Sequence, residues 1–280
     1  MIKIKNIIPK AIVATIGVLL IFSIFKMMDA KNSVEEVSQP LELTPSETET
    51  TNANTSNQSI DESDVNKEES HDENENKIYL TFDDGPNTAT PKILDTLKEY
   101  NAKATFFMLE PQMKQYPNLV KRIVQEGHAV GLHGVTHDKD KFYESEQSAL
   151  DEMLQAQKTL YEISGVKSNL IRTPYGSIPY FTDSYRDLID QHGFKLWDWN
   201  VDSQDWNTED FVQNVATQIE GVKQNEQTPI IVMHDKEQTA DNLSELLNFL
   251  SDKEFNTVKI NESIKPYNFR CNDRCRRVNS

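Results

Sequence analysis

Cysteine is nearly absent: the 280 residues contain only Cys271 and Cys275, both among the last ten. A disulfide framework therefore cannot carry this fold, and its core must stand on packing. In an oxidising compartment the two thiols could bridge each other; two free surface thiols are the alternative. Positive charge is scarce as well, with 29 Lys and Arg against 45 Asp and Glu and a net charge of −16. The foldable part has no basic patch of the kind nucleic acid requires. No protein partner is implied either.

Long apolar runs are missing except at residues 11–25, which Lys3, Lys5 and Lys10 precede and Lys26 follows. As a helix that run spans only about 22 Å, short of a hydrocarbon core of about 30 Å. Ile7, Ile8, Met27 and Met28 close the gap, and Lys10 and Lys26 could snorkel to the two interfaces. Residues 1–28 thus read as a cytoplasmic stub and uncleaved membrane anchor, a single pass with the rest of the chain outside. A cleaved signal peptide is the rival, but Met28 stands where cleavage before residue 31 wants a small side chain.

Residues 29–76 lack aromatic and large aliphatic side chains almost entirely, so they cannot bury enough surface to fold. They hold 14 acidic and 2 basic residues, which makes them an extended acidic linker with a reach of roughly 40 Å. Removing this −12 and the +4 of residues 1–28 from the whole leaves −8 for residues 77–280. At the other end Arg270, Arg274, Arg276 and Arg277 make residues 266–280 a basic tail. A solvated, frayed terminus is expected there, with contact to anionic wall polymer or lipid as the alternative.

Between these ends, short apolar runs alternate with amphipathic stretches. Strands are expected at residues 78–82, 104–109, 128–132, 170–172, 195–197, 229–233 and 257–260, and helices at 88–100, 117–125, 147–163, around 188, 212–219 and 243–250. This alternation predicts an α/β domain over 77–265, with about seven parallel strands, open or closed into a barrel. In both architectures function gathers at the carboxyl ends of the strands. The polar clusters Asp83-Asp84, His133 to His137, Arg172 to Tyr175, Asp202 to Trp206 and His234-Asp235 all lie there.

Asp83 and Asp84 follow an apolar run and precede Gly85-Pro86. Neighbouring side chains of a regular strand face opposite ways, so these two converge only if the strand stops there. A solvated turn explains the same residues equally well. His133 and His137, four positions apart, fall on one face of a helical turn and suit a divalent ion. With Asp84 they make two imidazoles and a carboxylate, leaving positions open for water or substrate. His128, within a strand, reads as a packing residue.

These clusters resemble the motifs of the polysaccharide deacetylase family, carbohydrate esterase family 4, whose module is the NodB homology domain. Residues 81–86 match its first motif in full. Residues 133–137 match the second except that Gly134 stands where the family usually has Ser or Thr. Residues 172–176, 202–206 and 232–235 match the later three, with Val232 in place of the usual Leu.

The resemblance implies a distorted (β/α) barrel and a metal-dependent removal of acetyl groups from amino sugars. Asp84, His133 and His137 would hold the ion, zinc first, with cobalt, nickel or iron fitting the same donors. Asp83 would be the general base and Arg172 its partner. His234 would be the general acid, with Asp202 paired to it. The backbone N–H of Tyr175 would donate to the oxyanion, and Trp206, Val232 and Pro174 would contact substrate. Peptidoglycan is the favoured polymer. A chitooligosaccharide deacetylase, an O-acetyl-xylan esterase and an inert sugar-binding wall module are the alternatives.

Overall fold

The computed structural model describes residues 76–278 apart from 209, 273 and 277. Its first strand, β1 (Lys77–Asp83), is buried on both faces and shows how the domain is layered. Ile78, Leu80 and Phe82 point outward into the large apolar cluster beneath the helices. Tyr79 points inward to a smaller cluster with Phe107, Leu170, Trp197, Ile230 and Ile260. Above Tyr79, Thr81 and Asp83 occupy the same inward row, so the interior changes from apolar to polar along one strand. That change sets the position of the site.

Strands and helices alternate along the chain. After β1 come α1 (Thr90–Glu99), β2 (Thr105–Met108), α2 (Glu110–Gln115), α3 (Pro117–Gln125), β3 (Ala129–Leu132) and α4 (Lys139–Phe142). Then follow α5 (Glu146–Ser164), β4 (Leu170–Ile171), α6 (Asp183–Gln191), β5 (Lys195–Leu196) and β6 (Val201–Asp202). The last elements are α7 (Phe211–Gln224), β7 (Ile230–His234), α8 (Glu237–Asp252) and β8 (Asn256–Val258). The helix α5 illustrates the local logic. Ser145 and Ser148 form a reciprocal cap at its start, Gly165 ends it at φ 73°, and Ala149, Leu150, Met153, Ala156 and Leu160 form its buried stripe.

The strands form one parallel sheet in the order β5-β4-β3-β2-β1-β7-β6, with β8 paired to the beginning of β1. The expected distorted (β/α) barrel needs correction: β5 and β6 are the ends of an open, curled half-barrel, and no ladder among the described residues joins them. Each is two residues long, and residues 197–200 run directly from one to the other. The carbonyls of Trp197 and Asp198 in that link accept from the Arg172 guanidinium at 3.1 and 3.3 Å, so a side chain satisfies them where a closed barrel would use a strand.

The N-terminal transmembrane helix is corrected as well, and with it the single-pass topology and the membrane as a partner. No helix among the described residues is long and apolar enough to cross a membrane, and the stretch 11–25, like the linker 29–76 except its last residue, lies outside them. The described residues of the carboxyl-terminal tail are tied to the domain, not frayed. Cys271 and Cys275 are disulfide-bonded, Phe269 N–H donates to Asp198 at 2.8 Å, and Arg276 N–H donates to the Pro179 carbonyl at 2.7 Å. The Phe269 ring packs edge-on against Trp199.

Candidate active site

Asp83 is the last residue of β1, and Asp84 leaves the strand with φ 72°, in the left-handed region. That turn sends the two carboxylates to different partners. Asp83 stays in the inward row, where its Oδ1 accepts from Arg172 Nη1 at 3.0 Å. Arg172, the residue after β4, is fully buried. Besides the two carbonyls already named, it donates to Thr81 Oγ1 at 2.6 Å and lies 4.3 Å from the centre of the Phe107 ring. With all three nitrogens of its planar fork engaged, the guanidinium fixes the orientation of Asp83.

Asp84 turns toward the histidines. Its Oδ1 lies 3.5 Å from His133 Nε2 and 3.3 Å from His137 Nε2. The ligand atoms of the three residues all lie within 4.8 Å of one another. His133 Nδ1 is 2.8 Å from the Arg172 carbonyl. Because a carbonyl only accepts, the proton sits on Nδ1 and the Nε2 lone pair faces Asp84. Burial and the neighbouring His133 hold the His137 pKa below the ordinary imidazole value, despite the charge of Asp84. The His137 ring is thus held toward its neutral form, and each ring turns Nε2 toward Asp84.

Across the cleft, His234 ends β7. Its Nδ1 is 2.8 Å from Asp205 Oδ1, while its backbone N–H donates to Asp205 Oδ2 at 2.7 Å. Thr239 Oγ1 donates to the same carboxylate at 2.5 Å. Burial alone would depress the His234 pKa, but the hydrogen bond and charge of Asp205 outweigh it, with Asp83 and Asp84 adding, and the pKa is raised. The Asp205 pKa is lowered: burial opposes this, but the His234 hydrogen bond and charge prevail, with Thr239 adding.

Here the expected pairing of His234 with Asp202 is corrected, and sheet register gives the reason. Asp202 lies level with Val232, two residues below His234, which is about 6.6 Å along a strand. The turn that follows β6 carries Asp205, not Asp202, up to the imidazole. The Asp202 carboxylate accepts instead from Gln204 N–H at 3.0 Å.

A cleft of about 480 Å³ joins these groups. Tyr175, Asp202, Trp206 and Val232 all line it. Tyr175 and Trp206 are 57% exposed, wide enough open to meet a polymer. Pro174 does not line the cleft; it is buried, and its carbonyl accepts from the Tyr143 hydroxyl at 2.8 Å. Trp199 and Lys236 were not foreseen as lining residues. No motif marks them, since Trp199 lies in the irregular link between β5 and β6 and Lys236 precedes α8.

A sequence profile described as polysaccharide deacetylase matches residues 70–197. YheN of Bacillus subtilis is 42% identical over 193 residues, 68% of either chain. The crystal structure of the polysaccharide deacetylase Bc1974 from Bacillus cereus superposes with a TM-score of 0.64 at 36% identity, covering 71% of this chain and 99% of that one. The chain belongs to the polysaccharide deacetylase family. Another relative, a peptidoglycan-N-acetylglucosamine deacetylase of Bacillus cereus, is 43% identical over 161 residues, which are 56% of this chain and 59% of its own length.

Family membership makes the fit of a metal testable on these residues. Asp84 Oδ1 is buried without a hydrogen-bond partner, a costly arrangement for a carboxylate oxygen. It faces the unprotonated nitrogen of His133, and His137 approaches it equally closely. Two neutral imidazoles and one carboxylate are the donor set of a divalent cation. The chain is a metal-dependent deacetylase of this family.

Proposed function

We propose that this deacetylase removes N-acetyl groups from N-acetylglucosamine residues of peptidoglycan, releasing acetate and leaving a free amine on the polymer. The observation that carries the chemistry is the convergence of the Asp84, His133 and His137 donors with Asp83 and His234 on one open cleft. Peptidoglycan as substrate is supported by the peptidoglycan-N-acetylglucosamine deacetylases among its relatives. Zinc is the proposed ion, since imidazole and carboxylate donors suit it.

Bound between the three donors, the cation supplies polarisation of the acetamide carbonyl and acidification of a water molecule. The protein does the rest. Asp83, held by Arg172, takes the proton from the attacking water. The backbone N–H of Tyr175, which no hydrogen bond among the described residues claims, donates to the developing oxyanion; such a donor is worth about 3 kcal/mol. Amines leave poorly, so the nitrogen must be protonated as the C–N bond breaks. His234, with Nδ1 engaged by Asp205, presents Nε2 for that step. Trp206 and Tyr175 offer aromatic surface to the sugar, and Val232 borders the acetyl group.

Acetate release from purified peptidoglycan and from chitooligosaccharides, measured with and without added zinc, tests the proposal. Activity on peptidoglycan that a chelator removes and zinc restores is expected; a folded protein that releases no acetate with any divalent metal refutes it. Asp84→Ala and His137→Ala are each expected to lower bound metal well below one equivalent. Unchanged stoichiometry by elemental analysis would remove that residue from the ligand set.

A further inference from the structure

We infer that Glu152, on α5, is a positioning residue for the metal-binding histidine loop and fills the space a side chain at residue 134 would otherwise occupy. The inference rests on the metal reading of Asp84, His133 and His137. Between the two histidines, Val135 N–H donates to Glu152 Oε2 at 2.8 Å and Thr136 N–H to the same oxygen at 3.0 Å. The Thr136 hydroxyl donates to Oε1 at 2.7 Å. Three donors from two consecutive residues therefore end on one carboxylate, and hydrogen bonds to an ionised acceptor are the strong kind.

The loop needs such a hold. His137 follows directly with φ 46°, a left-handed conformation uncommon for a non-glycine residue. Tyr175 restrains it from the far side, its hydroxyl donating to the His137 carbonyl at 2.9 Å and its ring packing 4.7 Å from the imidazole. Glu152 restrains it from the near side. Without that carboxylate the loop can relax toward ordinary backbone angles and carry His137 Nε2 away from Asp84.

Gly134 explains why the carboxylate is there. Its φ is 88°, and a Cβ added to it would meet Glu152 Oε2 at 3.0 Å and the Phe142 ring at 3.2 Å. A serine or threonine at residue 134 would crowd the Glu152 carboxylate out of its present position and be strained at this φ. In this chain the tether comes from a neighbouring helix, which α5 can supply because its buried stripe and caps fix it firmly against the sheet.

Zinc titration of the purified chain against a competing chelator, with thermal melts of each metal-free variant, tests this. Glu152→Ala is expected to weaken zinc binding about ten- to a hundred-fold, the range for residues that orient metal ligands. Glu152→Gln, which keeps one acceptor oxygen and the shape, is expected to fall between it and the wild type. Gly134→Ser should also weaken binding, but add little in the Glu152→Ala background, since two residues competing for one space are non-additive.

Unchanged zinc affinity in both Glu152 variants, with the wild type binding normally, overturns the inference alone. So does tighter binding in Gly134→Ser. A wild-type chain that binds no zinc overturns the metal reading, and this inference with it.

Discussion

Asp83→Asn is expected to retain the metal and lose turnover by about a hundred- to ten-thousand-fold, the contribution of a positioned general base. An amide cannot accept the proton that the attacking water must lose, while Asp84, His133 and His137 remain as they are. The substitution also has a structural side. Asp83 and Arg172 are both buried, and removing one charge of a buried pair costs about 3–5 kcal/mol when the other is left uncompensated. Arg172 keeps the carbonyls of Trp197 and Asp198 and the Thr81 hydroxyl, and asparagine keeps an acceptor oxygen. The stability loss should therefore sit at or below the low end of that range. Acetate release, metal content and a thermal melt on the same preparation separate the two effects. A folded, metal-replete Asp83→Asn protein within tenfold of wild-type activity would show that another group is the base.

Much of this site was legible in the sequence because local rules decide its parts. The alternation of β1 and its arrest at Gly85-Pro86 place Asp83 inward and leave Asp84 free to turn, and the spacing of His133 and His137 survives any loop that brings them to one side. Long elements read well for the same reason: α3 and α5 carry helical periodicity and start signals. What could not be read depends on register or on non-local contacts. β6 has two residues, too few to show a period, so Asp202 and Asp205 could not be ranked as partners of His234. The open seam of the sheet turns on which groups satisfy the carbonyls of residues 197 and 198. Those groups belong to Arg172, some 25 residues earlier. Glu152 sits on an ordinary amphipathic helix, and nothing nearby in the sequence announces that it reaches a histidine loop.

The correction at His234 leads to the second large effect. Asp205→Asn is expected to lower activity at neutral pH by about a hundred-fold, and to move the alkaline limb of kcat/KM to lower pH. The sign follows from the contributions to His234. Burial works against its protonated form, and the hydrogen bond and charge of Asp205 are what raise its pKa above the ordinary value. Take the charge away and burial dominates, so the imidazole loses its proton at a lower pH and the acid is absent sooner as pH rises.

The same pair links to stability. A raised His234 pKa adds stability that is complete below the ordinary imidazole pKa and is lost as pH rises through the folded value. The lowered Asp205 pKa adds stability present above the ordinary aspartate pKa and lost as pH falls through its folded value. These are two ends of one interaction, so the wild type should exceed Asp205→Asn in stability most between those two limits, and the difference should shrink on either side.

Asp202→Asn serves as the internal comparison, because Asp202 lines the same cleft but spends its carboxylate on Gln204 N–H. Its alkaline limb should stay in place. A shift in Asp202→Asn with none in Asp205→Asn would mean that the β6–β7 register does not select the partner of His234.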